Sequence, residues 1–308
     1  MAGEAKRRAL ANSPEGISER WRNAVGKGLI VGTPIYGGTP RAEYSHAMRM
    51  LAVQLALADA PWGPAETLTE SLVPRARNLI ASELLRSEME WLLFIDADIV
   101  FQPSDVLALL ESGHRVVGGA YPRKSIEWNT VAAVTRAGVS QPERFASSYV
   151  VNLLPEDAAE GAATFDGGGC CEVFDLPTGF LLIHRSVLEE MREKVPALQA
   201  RAVNLVSNAL ALSADAATLA VFGALVKELP HLEYENDDGT KRQMWNFFPV
   251  PVAYEGGRWR YLSEDYGFCR MWHSIGGHCW LHTGLELHHI GVHTFQANRD
   301  LIMDGCGK

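Results

Sequence analysis

Two aspartates separated by one residue follow a short, strongly apolar stretch of the chain. Residues 91–95 read WLLFI, and Asp96 and Asp98 come next, before a turn at 102–105. A short apolar run closed by a turn is typical of a strand buried in a parallel sheet, and open α/β sheets bind ligands at the carboxyl ends of their strands. Side chains two apart on a strand point the same way.

These two carboxylates, with nothing basic beside them, favour a hard divalent cation held against a phosphorylated ligand. The alternative is that Asp98 only ends the strand and that Asp105 caps the next helix. The buried strand in front of the pair favours metal binding.

Histidines concentrate towards the end of the chain. Six of the ten lie beyond residue 270: His273, His278, His282, His288, His289 and His293. Imidazole is a common ligand of transition metals such as Mn²⁺, so His289 or His293 is a candidate to complete a site with the aspartates. The remaining histidines are expected to be ordinary surface or core residues.

Glu264 and Asp265 precede an amphipathic segment that predicts a helix. Carboxylates at a helix N-terminus can simply complement the helix dipole. They can also accept a proton from an attacking hydroxyl. Spacing alone does not choose between these two interpretations.

Basic residues occur at two places that suit phosphate recognition. Arg75 and Arg77 follow Pro74, and arginine forks match phosphate geometry. Since the two arginines are two apart on a predicted helix, they cannot both face one site. Arg123 and Lys124 follow a predicted strand and form the second place.

Net charge, cysteine spacing and the lack of long apolar segments argue against several classes of protein. The chain has 308 residues and a formal charge of −9, which argues against a nucleic-acid partner. Its five cysteines include one adjacent pair and no C-x-x-C spacing, so we expect neither a disulfide framework nor a Cys-rich zinc site. No signal peptide or membrane span is visible, which predicts a cytoplasmic protein.

The order of predicted elements indicates a parallel sheet covered by helices. The first half reads as β-α-α-β-α-β over 28–33, 41–57, 73–90, 91–96, 106–110 and 115–120. The second half predicts strands at 131–135, 149–154 and 174–184, helices at 186–194, 196–229 and 261–272, loops at 161–171 and 233–242, and a closing segment at 285–295. We divide the chain into a polar leader that is loosely attached or forms a short helix (1–27), a first half (28–125) and a second half (126–308).

Taken together, these segments resemble nucleotide-sugar glycosyltransferases of the GT-A fold, of the phage and large-virus type and its bacterial relatives. The resemblance spans about 28–295 and rests on TPIYGG, PRARNLIASELL, FIDADIVF, GAYPRK, LPTGFLLIHRSVLEEM, YLSEDYGFCRMW and HHIGVHTF. It implies a Rossmann-like, mixed but mainly parallel sheet flanked by helices, with 28–125 as the nucleotide-sugar-binding half and 126–308 as the acceptor-binding half. The Ala/Leu-rich segment 196–242 departs from the minimal fold as an added helical segment. Its alternatives are an acceptor lid, a dimer surface and a membrane-resting helix, and its interspersed Arg, Asn and Asp favour ordinary helix packing.

The resemblance also implies roles for individual residues. Those expected to bind the nucleotide sugar are Thr33, Pro34, Tyr36, Arg75, Arg77, Asn78, Asp96, Ala97, Arg123 and Lys124. Those expected around Mn²⁺ or Mg²⁺ are Asp96, Asp98, and His289 in preference to His293. Asp265 or Glu264 is the candidate base, and Pro177, Thr178 and Gly179 would line the sugar or acceptor side.

The predicted function is therefore metal-dependent transfer of a sugar from a nucleoside-diphosphate sugar, with UDP as the default carrier, to a hydroxyl acceptor such as a glycan. Direct attack would invert the anomeric centre. One alternative is a sugar-nucleotide nucleotidyltransferase, because Gly37-Gly38 weakly resembles the Gly-rich phosphate loop of those enzymes. The other is a non-catalytic nucleotide- or carbohydrate-binding module. A metal hydrolase ranks low because no H-E-x-x-H is present.

Overall fold

The fold is taken from a computed structural model that describes residues 13–68, 70–149, 151–160, 163, 165–195, 233–235, 241–255 and 257–291. The strands are β1 (Leu29–Ile35), β2 (Trp62–Leu68), β3 (Trp91–Ile95), β4 (Ile99–Val100), β5 (Val116–Gly118), β6 (Asn152–Leu153), β7 (Cys170–Asp175), β8 (Phe180–His184), β9 (Glu233–Glu235), β10 (Lys241–Gln243), β11 (Val252–Glu255), β12 (Arg258–Tyr261), β13 (Cys279–His282) and β14 (His288–His289). The α-helices are α1 (Pro14–Val25), α2 (Ala42–Leu57), α3 (Val73–Arg86), α4 (Pro103–Glu111), α5 (Trp128–Arg136), α6 (Pro155–Glu160), α7 (Arg185–Lys194) and α8 (Glu264–Ser274).

Eight strands form the central sheet, in the order β2-β1-β3-β8-β5-β13-β7-β6. Parallel pairing joins β2 to β1, β1 to β3, and β5 to β13, whereas β8 and β7 run against their neighbours. Six of the eight strands therefore share one direction. The predicted mixed, mainly parallel α/β sheet with flanking helices is confirmed.

Alternate residues of β3 supply the core on both faces of the sheet. Leu93 and Ile95 pack into one buried cluster, and Leu92 and Phe94 pack into the other. A strand covered on both faces must be apolar throughout, which is the pattern seen in the sequence. In the described part of the chain, no helix is both long and apolar enough to cross a lipid bilayer.

Two predicted elements in the sheet region are wrong, and one strand was not predicted. Residues 174–184 form two strands rather than one, because Pro177 interrupts the run and cannot donate a ladder hydrogen bond. Residues 131–135 lie in helix α5, whose less exposed Val131 and Val134 are spaced for a helix face. The unpredicted strand β2 lies between α2 and α3, so the order of α-helices and strands from β1 to β5 is β-α-β-α-β-β-α-β.

Other boundaries also differ from the prediction. Within the leader, Pro14–Val25 form the short helix α1 rather than a loosely attached segment, and α1 buries Trp21 and Val25 in the core. Residues 233–235 and 241–243 pair as a hairpin rather than forming a loop throughout, while β11, β12 and β13 were not predicted. The predicted strand 149–154 shortens to β6, loop 161–171 ends in β7, helix 261–272 begins at Glu264, and 285–295 contributes β14. Residues 1–12 and the predicted helices of 196–229 lie outside the described residues.

The Arg185 side chain, at the start of α7, forms hydrogen bonds to the C-terminal end of helix α3. Arg185 Nη1 donates to the carbonyl oxygens of Leu84 and Ser87, both at 2.7 Å, and Nη2 donates to that of Leu85 at 3.0 Å. The last carbonyls of a helix have no partner within the helix. Arg185 satisfies these groups and joins α7 to α3.

We expect Arg185→Met to lower the free energy of unfolding by about 2 kcal/mol, since hydrogen bonds from a charged group to several carbonyls are lost. Urea denaturation measures the change. Lys194→Met is the matched control on α7, because Lys194 is exposed and its side chain, among the described residues, bonds to Glu190 of the same helix. Equal stability losses in the two variants would contradict a special role for Arg185.

Candidate functional site

Three backbone hydrogen bonds hold the turn after β3. Asp96 N–H donates to the Gly179 carbonyl at 2.9 Å, and Ile99 N–H donates back to the Asp96 carbonyl at 3.0 Å. Arg41 N–H, just before α2, donates to the Ala97 carbonyl at 3.0 Å. The backbone between Asp96 and Ile99 is thus fixed at the carboxyl edge of the sheet.

Arg77 is the buried cation of this site, with its side chain only 4% exposed. Its Nη2 lies 3.0 Å from Asp96 Oδ1, and its Nε lies 3.2 Å from Glu264 Oε1 at the start of α8. Nη1 also donates to the Thr178 carbonyl at 3.4 Å. Burial alone would lower the pKa of Arg77, but the charges of Asp96 and Glu264 outweigh it and raise the pKa. One guanidinium therefore joins α3, the β3 turn, the β7–β8 turn and α8.

Asp98 is shared by two basic side chains. Lys124 Nζ donates to Asp98 Oδ2, and His289 Nε2 lies 3.4 Å from Asp98 Oδ1. The antiparallel pairing of β14 with β4 brings His289 here, and Ile290 N–H donates to the Asp98 carbonyl at 2.9 Å. Burial raises the pKa of Asp98, but the hydrogen bonds from His289 and Lys124 outweigh it and lower the pKa to about 2. Asp98 is therefore held as a carboxylate.

The expectation that nothing basic lies beside the two aspartates is wrong. Arg77 comes from a helix that is distant in sequence and pairs with Asp96, while Lys124 comes from the loop after β5 and pairs with Asp98. Among the described residues, the donor atoms of Asp96, Asp98 and His289 are not grouped within 4.8 Å of one another. Asp98 and His289 fit a shared cation, whereas Asp96 is committed to Arg77. His293 lies outside the described residues.

Asp265 has the environment of a proton acceptor. Its Oδ1 accepts hydrogen bonds from the Ser263 hydroxyl and from Tyr266 N–H, the latter at 3.0 Å. In the described part of the chain no group donates to Oδ2. Burial and the neighbouring charge of Glu264 raise the pKa of Asp265, although the Ser263 hydrogen bond opposes them. Glu264, by contrast, is engaged by Arg77.

The candidate nucleotide-binding residues of α3 lie in different environments. Arg75 points outwards and pairs with Glu70 at 2.6 Å, so the two arginines do face different ways. Asn78 is buried, donates to Asn246 Oδ1 at 2.9 Å and accepts from Phe248 N–H at 2.9 Å. These contacts hold the 246–248 segment in place, and nucleotide contact by Asn78 stays a prediction.

The end of β1 presents one buried and two accessible candidates. Thr33 is 1% exposed, and its hydroxyl lies 2.6 Å from that of Tyr44, so it supports the sheet edge from inside. Pro34 is half-buried and Tyr36 is exposed. Any nucleoside contact at this edge would therefore fall to Pro34 and Tyr36 rather than to Thr33.

Residues 177–179 lie beneath the site rather than at its surface. Pro177, Thr178 and Gly179 are all buried, and their contact with a sugar or acceptor stays a prediction. Gly179 N–H donates to the Tyr121 hydroxyl at 3.0 Å, and a Cβ on Gly179 would lie 2.8 Å from Asp96 Oδ2. Absence of a side chain at Gly179 is what allows Tyr121 and Asp96 to come together.

Tyr121 was not singled out from the sequence, although it follows β5 in the GAYPRK motif. Its ring meets that of His289 edge-on with centroids 5.1 Å apart. Burial and the charges of Asp96 and Asp265 raise the pKa of Tyr121, which keeps the phenol neutral. An aromatic residue at a strand end was the only signal for it, and that signal is weak.

An open cleft of about 890 Å³ adjoins the Asp98 group. Pro122 connects the two, because it lines the cleft and its carbonyl accepts the hydrogen bond from His289 Nδ1. The lining residues are Ala120, Pro122, Arg123, Gln141, Glu143, Arg144, Ser147, Tyr149, Val151, Leu153, Leu281, His282, Thr283, Leu285, Glu286, Leu287 and His288. The cleft mixes charged, aromatic and aliphatic side chains, which suits a polar ligand with apolar faces.

We expect Arg77→Met to lower the free energy of unfolding by about 3 kcal/mol, because it leaves two largely buried carboxylates without their cation. Arg75→Met is the matched control two residues away, because Arg75 itself is largely exposed and its loss should cost about 1 kcal/mol or less. Urea denaturation measures both. Adding Asp96→Asn to Arg77→Met should recover part of the loss, and a further loss instead would contradict the assigned pairing.

Comparisons with known proteins give only a distant structural likeness. No family model and no curated protein matches this chain. Among solved structures, A197 from STIV aligns with 70% of this chain and 93% of its own, at 18% identity and a TM-score of 0.32. A likeness at this level carries no argument about function, which has to be built from the site itself.

Proposed function

We propose that this chain is a metal-dependent glycosyltransferase that moves a sugar from a nucleoside-diphosphate sugar, with UDP as the default carrier, to a hydroxyl acceptor. The observation that carries the proposal is the Asp98 group at the carboxyl edge of the sheet. There a carboxylate, a histidine and a lysine lie beside an open cleft. Asp265 follows Glu264 at the start of α8, and Arg77 ties Glu264 to Asp96 at the same edge of the sheet.

The orientation of His289 supports the cation. Its Nδ1 donates to the Pro122 carbonyl at 2.8 Å, which leaves Nε2 as the ring nitrogen that faces Asp98 Oδ1 at 3.4 Å. Two acceptors at 3.4 Å need a proton or a metal ion between them. A backbone carbonyl behind the ring is also the usual partner of a metal-bound histidine. A divalent ion here would offset the charge that develops on the leaving diphosphate.

Basic side chains supply the rest of the donor site. Lys124 and the exposed Arg123 are adjacent on the loop after β5, where both can reach phosphate oxygens. Arg77 acts indirectly, because it holds Asp96 and Glu264 in place and does not face the cleft. Pro34 and Tyr36 at the end of β1 are the surfaces left for the nucleoside.

The acceptor would lie in the cleft, with its hydroxyl directed towards Asp265. As the hydroxyl oxygen attacks the anomeric carbon, Asp265 Oδ2 takes its proton, and the bond to the diphosphate breaks. The Ser263 and Tyr266 contacts to Oδ1 fix the carboxylate so that Oδ2 is the accepting atom. Direct attack of this kind inverts the anomeric centre.

The donor site is tested by thermal unfolding with UDP, GDP, CDP or dTDP, each with and without Mn²⁺. We expect stabilisation by one nucleotide only when Mn²⁺ is present, of about 2.7 kcal/mol at 100 times its dissociation constant. Asp98→Ala should lose this effect and keep its fold, while Glu43→Ala, an exposed carboxylate on α2, should keep both.

Two outcomes of that experiment would change the proposal. Stabilisation by a nucleotide without metal would assign the charge neutralisation to Lys124 and remove the metal dependence. No stabilisation by any nucleotide would favour a non-catalytic binding module or a donor that is not nucleotide-linked.

The base is tested by Asp265→Asn, assayed as nucleotide release from the donor sugar with water as acceptor. We expect donor binding to persist and turnover to fall by about 10²–10⁴-fold. Ser263→Ala is the control, because it leaves Oδ2 in place and should cost far less. Because burial raises the pKa of Asp265, wild-type turnover should begin to fall on acidification above the usual aspartate range.

Wild-type turnover in Asp265→Asn would remove this residue as the base. Release of pyrophosphate from a nucleoside triphosphate and a sugar phosphate would instead identify a nucleotidyltransferase.

A further inference from the structure

A second group of ligand atoms lies outside the proposed donor site. His114 precedes β5, Asp166 precedes β7, and Cys170 is the first residue of β7. One nitrogen, one carboxylate oxygen and one sulfur from these residues all lie within 4.8 Å of one another. They form the only such group of three among the described residues.

We propose that His114, Asp166 and Cys170 form a zinc site. Nitrogen, oxygen and sulfur donors together suit Zn²⁺, which is borderline-soft, and a hard ion such as Mg²⁺ would not select the sulfur. Three protein ligands leave the fourth tetrahedral position for water or another ligand. The site is independent of the glycosyl transfer proposed above.

The carboxylate of Asp166 is oriented by the loop that follows it. Its Oδ1 accepts from Gly168 N–H at 2.7 Å and from Cys170 N–H at 3.1 Å. This leaves Oδ2 facing His114 Nε2 at 2.7 Å. Gly167 and Gly169 have φ of 82° and 91°, and these left-handed conformations let the loop close around the carboxylate.

The histidine and the loop are fixed from outside the group. The Trp280 ring stacks on His114 at 4.0 Å with an interplanar angle of 12°. Thr283 donates through both its N–H and its hydroxyl to the Gly169 carbonyl, at 3.0 and 2.9 Å. Contacts of this kind hold metal ligands in position before the ion arrives.

Binding the ion requires only small movements. With ligand bonds of the usual length, neighbouring donors on tetrahedral zinc lie roughly 3.4 Å apart. His114 and Asp166, now joined by a hydrogen bond, would separate by less than an ångström as the ion enters. Cys170 would bind as the thiolate and release its proton to solvent.

The test uses the full chain, stripped of metal with a chelator and titrated with Zn²⁺ and with Co²⁺. We expect one Zn²⁺ to bind per chain at this site, and the Co²⁺ form to show a thiolate-to-cobalt charge-transfer band. The band distinguishes this site from the Asp98 group, which offers no sulfur, and it should persist in Asp98→Ala.

Matched variants make the assignment specific. Cys170→Ser should abolish the band, whereas Cys171→Ser should keep it, because Cys171 packs into the cluster on the opposite face of the sheet. His114→Ala, which lies outside both buried clusters, should weaken Zn²⁺ binding about tenfold or more. Circular dichroism verifies that each variant is folded.

A wild-type chain without the thiolate band, a band that survives Cys170→Ser, or unchanged Zn²⁺ affinity in His114→Ala would each overturn the zinc site. If Cys170→Ser does not fold, the His114→Ala titration decides the matter alone.

Discussion

The candidate site depends on one buried positive charge. Arg77 is surrounded by Asp96, Glu264 and the Thr178 carbonyl, which belong to three segments far apart in sequence. A guanidinium removed from water must be matched by partners of opposite charge, and those partners must converge wherever it lies. The position of α8, and with it Asp265, is thereby tied to the turn at the end of β3. Arg77 organises the site without facing the cleft.

A second consequence is that the two aspartates have different surroundings although they are two residues apart. Asp96 lies against the buried Arg77 and Gly179, while Asp98 lies against the more exposed Lys124 and His289. The first carboxylate is held by a buried partner, and the second can exchange its partners with a ligand. A site with one fixed and one exchangeable carboxylate combines rigidity with the capacity to bind a cation.

Local patterns predicted the strand before Asp96 and most of the helices, because burial on both faces and helical spacing leave a mark on neighbouring residues. The ion pairs could not be predicted from neighbouring residues, because Arg77 lies 19 positions from Asp96 and 187 from Glu264. The same is true of His114 and Asp166, which are 52 positions apart and match no spacing motif. Because residues 174–184 read as one apolar run, the turn at Pro177 was not predicted. The separate antiparallel strand β8, which lies between β3 and β5, was therefore not predicted either.

Helix α3 is held by arginines near both of its ends. Arg77 fixes its first turns to the sheet edge, and Arg185 grips its final carbonyls. A rotation of the helix about its axis would break both sets of bonds at once. The cleft is lined in part by the loops on either side of α5 and by no residue of α3. The element held by the two arginines and the surface offered to a ligand are therefore different parts of the molecule, joined through the turn after β3.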